Sequence, residues 1–354
     1  MLPSKIVALA AGAALAAYLI ARRRRRSKSL LILDGGCGLE LKKRKAEGHD
    51  VAYNLTLFST AAVRDTPDGV IALHRDYIKS GCTVITTASY AVTRFYLDKI
   101  GEGERVAELA HRSVALAKAA RTAENADGRV LIAASVPPLG ESYQAAPLPP
   151  SELEAQYKVI IGALSECDIY LCETMGTLKE ALLASRLCQQ ASSKPIWVSF
   201  NPRRADESEV KAAGGWPGGL SVRVSADGTT VSEAVEALCA TGYVEAVLFN
   251  CATPELIECA ITEATNTAKG RLRVGGYANF WEELDTRGWS IEKNESGSGS
   301  GDQKKGGMVV RKDLSHERYA KEMFRWVHEC GASIVGGCCG IGPETMGAVC
   351  EMCS

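Results

Sequence analysis

Residues 246–267 read AVLFNCATPELIECAITEATNT, and this stretch decides the fold class. Its first four residues are apolar without alternation, which is typical of a parallel strand covered on both faces. A short turn with a proline follows, and apolar residues then recur at helical spacing. The stretch therefore predicts one strand–turn–helix unit of an α/β protein.

The same unit recurs along most of the chain. Short apolar runs predict eight strands, which are Leu30–Leu33, Thr83–Thr87, Val130–Ala134, Ile169–Cys172, Pro195–Phe200, Ala246–Asn250, Leu272–Gly276 and Ser333–Gly336. Helical spacing is found between them, for example in Glu102–Glu124, Leu153–Ser165, Leu178–Gln190, Ser232–Thr241, Pro254–Thr267 and His316–Glu329. Eight such units predict that residues 29–354 form one closed (β/α)₈ TIM barrel, with a doubly wound open sheet as the alternative.

The composition narrows the class of protein. With 46% hydrophobic and 23% charged residues, the 354-residue chain has ordinary globular usage. A formal net charge of -1 gives no reason to expect a nucleic-acid partner. The 13 cysteines are odd in number and irregularly spaced, so they indicate reduced thiols rather than a disulfide framework.

The N-terminus has a different composition from the rest. Residues 6–21 are apolar and uncharged, and Arg22–Arg26 follow at once. The apolar run is shorter than the roughly 20 residues of a typical spanning helix, and its basic cluster follows rather than precedes it. By the positive-inside rule, this pattern predicts a signal anchor at residues 1–28. The protein would then be membrane-anchored, with the part of the chain after the basic cluster in the cytosol. A mitochondrial transit peptide and a disordered tail on a soluble cytoplasmic protein are the alternatives.

One stretch within the repeating units is rich in glycine and serine. Residues 293–307, KNESGSGSGDQKKGG, predict a flexible surface loop between the seventh strand and the last helices. Such a loop would lie on the side of the barrel where active sites form, as a variable insertion, with a lid as the alternative.

Chemically useful residues cluster at the carboxyl ends of predicted strands, where barrel enzymes place their catalysts. These residues are Asp34, Gly35, Gly36, Thr87, Ser89, Glu173, Cys251, Cys338 and Cys339. A random scatter of polar residues would not select those ends.

Cys338 and Cys339 lie in the segment GGCCG at 336–340. Successive strand residues point to opposite faces, so adjacent cysteines can share a metal only where flanking glycines let the backbone bend. A third thiolate from Cys251 would complete a three-sulfur zinc site with one open position, which is typical of a catalytic site. The alternative is that these cysteines are small buried residues.

A three-thiolate zinc site suits the activation of a substrate thiol. A thiol in the open position would lose its proton and become the nucleophile for transfer of a carbon group. Asp34 and Glu173 are expected to hold an ammonium group, while the backbone N–H groups of Gly35 and Gly36 meet a carboxylate. Together these features describe an amino acid that carries a thiol. A turn for Asp34 and a helix N-terminal acid for Glu173 are the alternatives.

Seven segments resemble homocysteine S-methyltransferases, in the same order along the chain. They are LDGGCGLEL (33–41), TTASY (86–90), CET (172–174), SFN (199–201), FNC (249–251), GYANFWE (276–282) and GASIVGGCCGIGPE (331–344). The resemblance implies a (β/α)₈ barrel and homocysteine as methyl acceptor. The zinc ligands that it implies are Cys251, Cys338 and Cys339. It also implies that homocysteine contacts Asp34 and Glu173, with Thr87 or Ser89 nearby.

The methyl donor is less constrained than the acceptor. The segments SVPPLGESY (135–143) and YAN (277–279) differ from those of family members that use S-methylmethionine, and Cys37 adds a thiol after the DGG. No residues are left for the folate and cobalamin domains of the folate-dependent relatives, so an onium donor such as S-methylmethionine or betaine is expected. Aromatic faces attract such cations. The candidates are Tyr90, Tyr143, Tyr277, Phe280 and Trp281.

The leading hypothesis is therefore zinc-dependent methyl transfer from an onium donor to homocysteine, giving methionine. Another small thiol or a selenol such as selenocysteine is the alternative acceptor. A non-catalytic, membrane-tethered scaffold that binds zinc is the alternative from a different class. The oligomeric state is not predicted.

Overall fold

Eight parallel strands form the central sheet. The structure is a computed structural model that describes residues 29–206, 221–224, 226–283 and 309–354. The strands of this sheet are β1 (Leu31–Ile32), β2 (Val84–Thr86), β3 (Leu131–Val136), β4 (Ile169–Met175), β5 (Ile196–Phe200), β8 (Val244–Asn250), β9 (Arg273–Ala278) and β10 (Ile334–Gly337). Two short strands, β6 (Arg203–Arg204) and β7 (Val222–Arg223), pair antiparallel in a separate sheet.

The two edges of the central sheet meet each other. The strand order is β1-β10-β9-β8-β5-β4-β3-β2, and a parallel bridge joins Leu33, after β1, to Val84 of β2. The N–H of Asp34 donates to the carbonyl of Val84 at 2.9 Å, and that of Thr83 donates to the carbonyl of Ile32 at 2.8 Å. This arrangement agrees with the predicted (β/α)₈ barrel and not with a doubly wound open sheet.

Helices alternate with these strands and bury one face each. The described α-helices are α1 (Cys37–Ala46), α2 (Thr60–Asp65), α3 (Pro67–Lys79), α4 (Arg94–Leu97), α5 (Val106–Ala123), α6 (Pro150–Ala163), α7 (Leu178–Ala191), α8 (Val231–Thr241), α9 (Pro254–Ala268), α10 (His316–His328) and α11 (Pro343–Cys353). Helix α9 shows the pattern, since Leu256, Ile257, Ala260, Ile261 and Ala264 are buried at helical spacing against β8 and β9.

The core has two layers, one between sheet and helices and one inside the barrel. The inner layer includes Trp197, Leu248 and Ile334, whose side chains fill the barrel so that it is a packed core rather than a pore. Tyr277 belongs to this layer and Cys338 packs against it. The inner core therefore supports the residues at the carboxyl ends of the strands.

All eight predicted strands are present, within three residues of their predicted ends. The sequence pattern predicts no helix at α1 and no strand at β6 or β7. Of the ten residues in α1 only Leu41 is buried, so the apolar periodicity there is weak. Strands β6 and β7 have two residues each, which is too short for a periodic pattern.

The expectation of a membrane-anchored protein needs correction. Among the helices that the structure describes, none is both long enough and apolar enough to span a bilayer. The longest of them, α5, has 18 residues but carries Glu108 and Arg112, and charged side chains are costly inside a membrane. The anchor predicted at residues 1–28 and the loop predicted at 293–307 lie outside the described residues.

Candidate active site

A cavity of about 220 Å³ lies at the carboxyl ends of the barrel strands. Residues from the ends of β1, β4, β8 and β10 line it together, although they are far apart in the sequence. They include Asp34, Glu173, Cys251, Cys338 and Cys339. The barrel thus brings the predicted acids and the predicted metal ligands into one space.

Three thiols form a compact group on one wall of this cavity. The sulfur atoms of Cys251, Cys338 and Cys339 all lie within 4.8 Å of one another, and those of Cys251 and Cys339 are 3.7 Å apart. A tetrahedral zinc ion with Zn–S distances of about 2.3 Å would hold its thiolates about 3.8 Å apart. Among the described residues, this is the one group of at least three His, Cys, Asp or Glu side chains close enough to share a metal ion.

A bend directly after β10 brings both adjacent thiols to the cavity. The N–H of Cys338 donates to the carbonyl of Ala278 at 2.8 Å, and the N–H of Ile341 donates back to the carbonyl of Cys338 at 3.1 Å. Gly340 has a φ of +82°, which favours glycine. A Cβ atom at Gly36 would lie 2.5 Å from the carbonyl oxygen of Cys338. Only glycine at this position therefore lets the segment after β1 approach the turn.

The third thiol depends on an unusual backbone conformation. Cys251 follows β8 with a φ of +57°, a region that non-glycine residues rarely adopt. The side-chain amide of Asn201 donates to the carbonyl of Cys251 at 2.8 Å and to that of Asn250 at 3.0 Å. Strained residues persist where their surroundings hold them, and they cluster at functional sites.

The two acids are buried on the same cavity. The pKa of Asp34 is raised to about 7, mainly by burial, and the charge of the nearby Glu173 contributes to this shift. Burial likewise raises the pKa of Glu173 to about 7. Asp34 accepts the N–H of Thr86 at 2.8 Å, while Glu173 accepts the hydroxyls of Ser135 and, at 3.4 Å, Tyr277. Among the described residues neither acid has an ion-pair partner, and a ligand could supply the positive charge.

The remaining predicted substrate residues divide into two groups. Gly35, Gly36 and Thr87 line the cavity. The N–H of Gly36 donates to the carbonyl of Ile341 at 2.9 Å within the protein, and its contact with a substrate carboxylate stays a prediction. Ser89 does not line the cavity, since its hydroxyl donates to the carbonyl of Ser135 at 2.9 Å and lies 2.8 Å from that of Thr87.

The aromatic candidates also divide. Tyr90, Tyr143 and Tyr277 line the cavity, and the hydroxyl of Tyr143 lies 3.0 Å from the sulfur of Cys251. Phe280 and Trp281 do not line it. The sequence NFWE places them directly after β9, but Trp281 forms a bridge with Val310 instead.

Several cavity residues have no signal in the sequence. Tyr53 and Phe58 precede α2, far from any strand end, and they add two aromatic side chains to the wall. Lys42 comes from α1, a helix whose apolar periodicity is weak. Cys37, the additional thiol seen in the sequence after the DGG, lines the cavity as well, and burial raises the pKa of its thiol to about 12, so this thiol stays protonated at neutral pH.

Comparison with known proteins identifies the family. A family model described as homocysteine S-methyltransferase matches residues 31–353. The chain belongs to this family. It is accordingly a methyltransferase, with the (β/α)₈ architecture and the NC and GGCC segments that the sequence analysis associated with the family.

Relatives of the methyltransferase cover most of its length. A selenocysteine Se-methyltransferase of Brassica oleracea var. italica is 26% identical over 347 residues, which is 90% of this chain and 87% of that protein. The homocysteine S-methyltransferase YbgG of Bacillus subtilis is 26% identical over 343 residues, covering 90% and 92%. The metallated homocysteine methyltransferase MmuM from Escherichia coli shares the fold, with a TM-score of 0.67 at 24% identity over 93% of this chain and 98% of that one.

The raised pKa of Asp34 makes the stability of this methyltransferase depend on pH. An aspartate in the unfolded chain titrates near pH 4, so between about pH 4 and pH 7 the native state binds more protons and stability falls as pH rises. The stability of Asp34→Asn relative to the wild type should therefore increase by about 2–3 kcal/mol from pH 5 to pH 8. Urea denaturation at both pH values measures this difference.

The control for this measurement is Asp50→Asn, because Asp50 is exposed. Its stability relative to the wild type should be the same at both pH values. Parallel pH curves for Asp34→Asn and the wild type would contradict the raised pKa.

Proposed function

We propose that this methyltransferase moves a methyl group from an onium donor to the thiol of homocysteine, giving methionine. One observation carries the proposal: a cluster of three thiols and a pair of buried acids face the same cavity. A metal site alone would need no acids beside it, and an amino-acid site alone would need no thiols.

The thiol cluster fits zinc in both donor type and spacing. Cys251, Cys338 and Cys339 supply three soft ligands, which leaves one tetrahedral position for a substrate. Bound there, zinc would lower the pKa of a substrate thiol so that the thiolate forms at neutral pH. The metallated form of MmuM, which shares this fold, supports a metal in this proposal.

The acid pair is proposed to bind the ammonium group of the acceptor. Asp34 and Glu173 are close enough for the charge of one to raise the pKa of the other, and both are at least 90% buried. Of the described residues that line the cavity, Lys42 alone is basic, and it lies on α1 rather than beside the acids. An ammonium between the two carboxylates would supply the missing positive charge. Homocysteine carries this ammonium and the thiol in one small molecule.

An aromatic wall is proposed to hold the donor. Tyr53, Phe58, Tyr90 and Tyr143 line the same cavity, and their faces can attract a sulfonium or quaternary ammonium centre. The sulfur lone pair of the acceptor attacks the methyl carbon, and the bond from that carbon to the donor heteroatom breaks. The bonding electrons stay on the donor heteroatom, which loses its positive charge. Holding both reactants in one cavity supplies the proximity that this displacement needs.

Selenocysteine is a second candidate acceptor. The Brassica relative that is 26% identical is a selenocysteine Se-methyltransferase, and a selenol could take the place of the thiol in the same site. The alternative of a non-catalytic scaffold is not supported, because the chain is a methyltransferase of this family.

The test of the proposal is product formation from defined pairs of substrates. Zinc-loaded protein is incubated with homocysteine or selenocysteine and with S-methylmethionine or betaine, and the methylated products are quantified by mass spectrometry. We expect methionine from homocysteine with at least one onium donor, and loss of this activity after chelation with recovery on addition of zinc. Zinc-loaded protein that methylates neither acceptor from any donor would contradict the proposal.

A further inference from the structure

Helix α1 carries four consecutive basic residues, and only one of them lines the cavity. Lys43 and Arg44 form ion pairs with nearby acids, and Lys45 donates to the backbone carbonyl of Tyr53 at 3.1 Å. The ammonium of Lys42 has no ion pair or hydrogen bond with the described residues. Lys42 is therefore the basic group on this helix that is available to a ligand in the cavity.

Tyr53 supplies a second polar group on the same cavity. Its side chain is 9% exposed, and its hydroxyl is buried without a hydrogen-bond partner among the described residues. Buried polar groups in folded proteins nearly always have partners, so an unpaired hydroxyl beside a cavity indicates that a ligand satisfies it.

The backbone of Tyr53 lies against the helix that carries Lys42. The bond from Lys45 to the carbonyl of Tyr53 holds the tyrosine backbone against one face of α1. Lys42 lies three residues before Lys45, and residues at this spacing share a helix face. Lys42 is also one turn closer than Lys45 to Cys37, which begins the helix and lines the cavity.

The charges that line the cavity are arranged unevenly. The carboxyl groups of Asp34 and Glu173 and the thiol cluster follow the strand ends, whereas Lys42 lies on α1. A ligand that fills the cavity would meet acids at the strand ends and a positive charge on the helix. A zwitterion with a negative group beyond its onium centre matches this arrangement.

We propose that Lys42 and Tyr53 bind the anionic group of the methyl donor. The ammonium of Lys42 pairs with a donor carboxylate, and the hydroxyl of Tyr53 donates a hydrogen bond to it. The site then selects onium donors that carry a carboxylate over simple onium cations. This inference rests on the proposed function, because that function supplies the onium donor.

The test compares donors that differ in the carboxylate. The ratio of kcat/KM is measured for dimethylsulfoniopropionate against trimethylsulfonium, with homocysteine as acceptor and zinc-loaded protein. Wild-type protein should prefer the carboxylate donor by at least about tenfold, and Lys42→Met should lower this ratio by about tenfold or more, since hydrogen bonds to charged groups are among the strong ones. Tyr53→Phe should lower the ratio by about threefold.

Two further variants distinguish recognition of the donor carboxylate by Lys42 from unspecific effects of removing a charge. Lys42→Arg should recover most of the preference, since it restores the positive charge. Lys43→Met removes the same charge from an exposed position on the same helix that does not line the cavity, and it should leave the ratio unchanged. A wild-type ratio near one, or an equal loss in Lys42→Met and Lys43→Met, would overturn the inference while the proposed function stands.

Direct binding distinguishes failure of this inference from failure of the proposed function. If the wild type transfers no methyl group from any donor, the proposed function fails, and calorimetric titration of the same zinc-loaded protein with dimethylsulfoniopropionate still decides the role of Lys42. Binding to Lys42→Met that is about tenfold weaker than binding to Lys43→Met supports the inference. Equal binding to both variants overturns it.

Discussion

Replacing Cys251 by serine is expected to remove bound zinc and to lower methyl transfer to homocysteine by at least about a thousandfold, since loss of even an outer partner of a metal ligand costs about 10- to 100-fold. The sulfur of Cys251 lies 3.7 Å from that of Cys339 and 3.0 Å from the hydroxyl of Tyr143, and no fourth cysteine of the described residues belongs to this close group. Two remaining thiolates would hold zinc weakly. The zinc-to-protein ratio after dialysis and the initial rate of methionine formation measure the two effects.

A matched cysteine outside the cluster controls for this substitution. Cys259 is half-buried on α9 and does not line the cavity, so Cys259→Ser should keep both its zinc and its activity. Thermal unfolding of both variants checks that the barrel stays folded. Stoichiometric zinc and wild-type activity in Cys251→Ser would contradict the three-thiol site.

The barrel could be predicted because its strands are distinct in the sequence. Strands buried on both faces need continuous apolar runs, and β5, with the sequence IWVSF, is fully buried as such a run predicts. Helices and strands that bury little surface have no comparable apolar pattern in the sequence. Helix α1 is the clearest example, since its polar sequence hides an element that nonetheless brings Lys42 to the cavity.

Only those residues of the candidate site that directly follow a strand could be predicted from the sequence. Cys251 and Glu173 follow predicted strands, and a closed barrel brings all strand ends to one rim. Tyr53 reaches the cavity from an irregular segment, whose path depends on tertiary packing rather than on local pattern. The hydrogen bond from the N–H of Gly36 to the carbonyl of Ile341 could not be predicted either, because the two residues are 305 positions apart in the sequence.

Replacing Glu173 by glutamine is expected to raise the KM for homocysteine by about 10- to 100-fold, because hydrogen bonds to charged groups are worth about 1.5–3 kcal/mol. Glutamine keeps the shape of the side chain and can still interact with Ser135 and Tyr277, but it loses the negative charge. The proposed contact with the substrate ammonium depends on that charge in a buried site, where water cannot replace it. Steady-state kinetics with homocysteine measure the change.

A second acceptor shows whether the ammonium is the group that Glu173 recognises. The compound 4-sulfanylbutanoate has the thiol and the carboxylate of homocysteine but lacks the ammonium. Wild-type protein should prefer homocysteine strongly by kcat/KM, and Glu173→Gln should reduce this preference about tenfold or more while zinc content stays constant. An unchanged preference would contradict the proposed role of Glu173, even if the overall rate fell.

Substitution of a second buried acid distinguishes loss of acceptor recognition from a general loss of stability. Glu180 is 4% exposed and accepts hydrogen bonds from Tyr157 at 2.8 Å and from the N–H of Leu139 at 3.0 Å, but it does not line the cavity. Glu180→Gln should lower the unfolding temperature and leave the acceptor preference unchanged. Because both variants remove one buried negative charge near the end of β4, only contact with the acceptor explains a difference in preference between them.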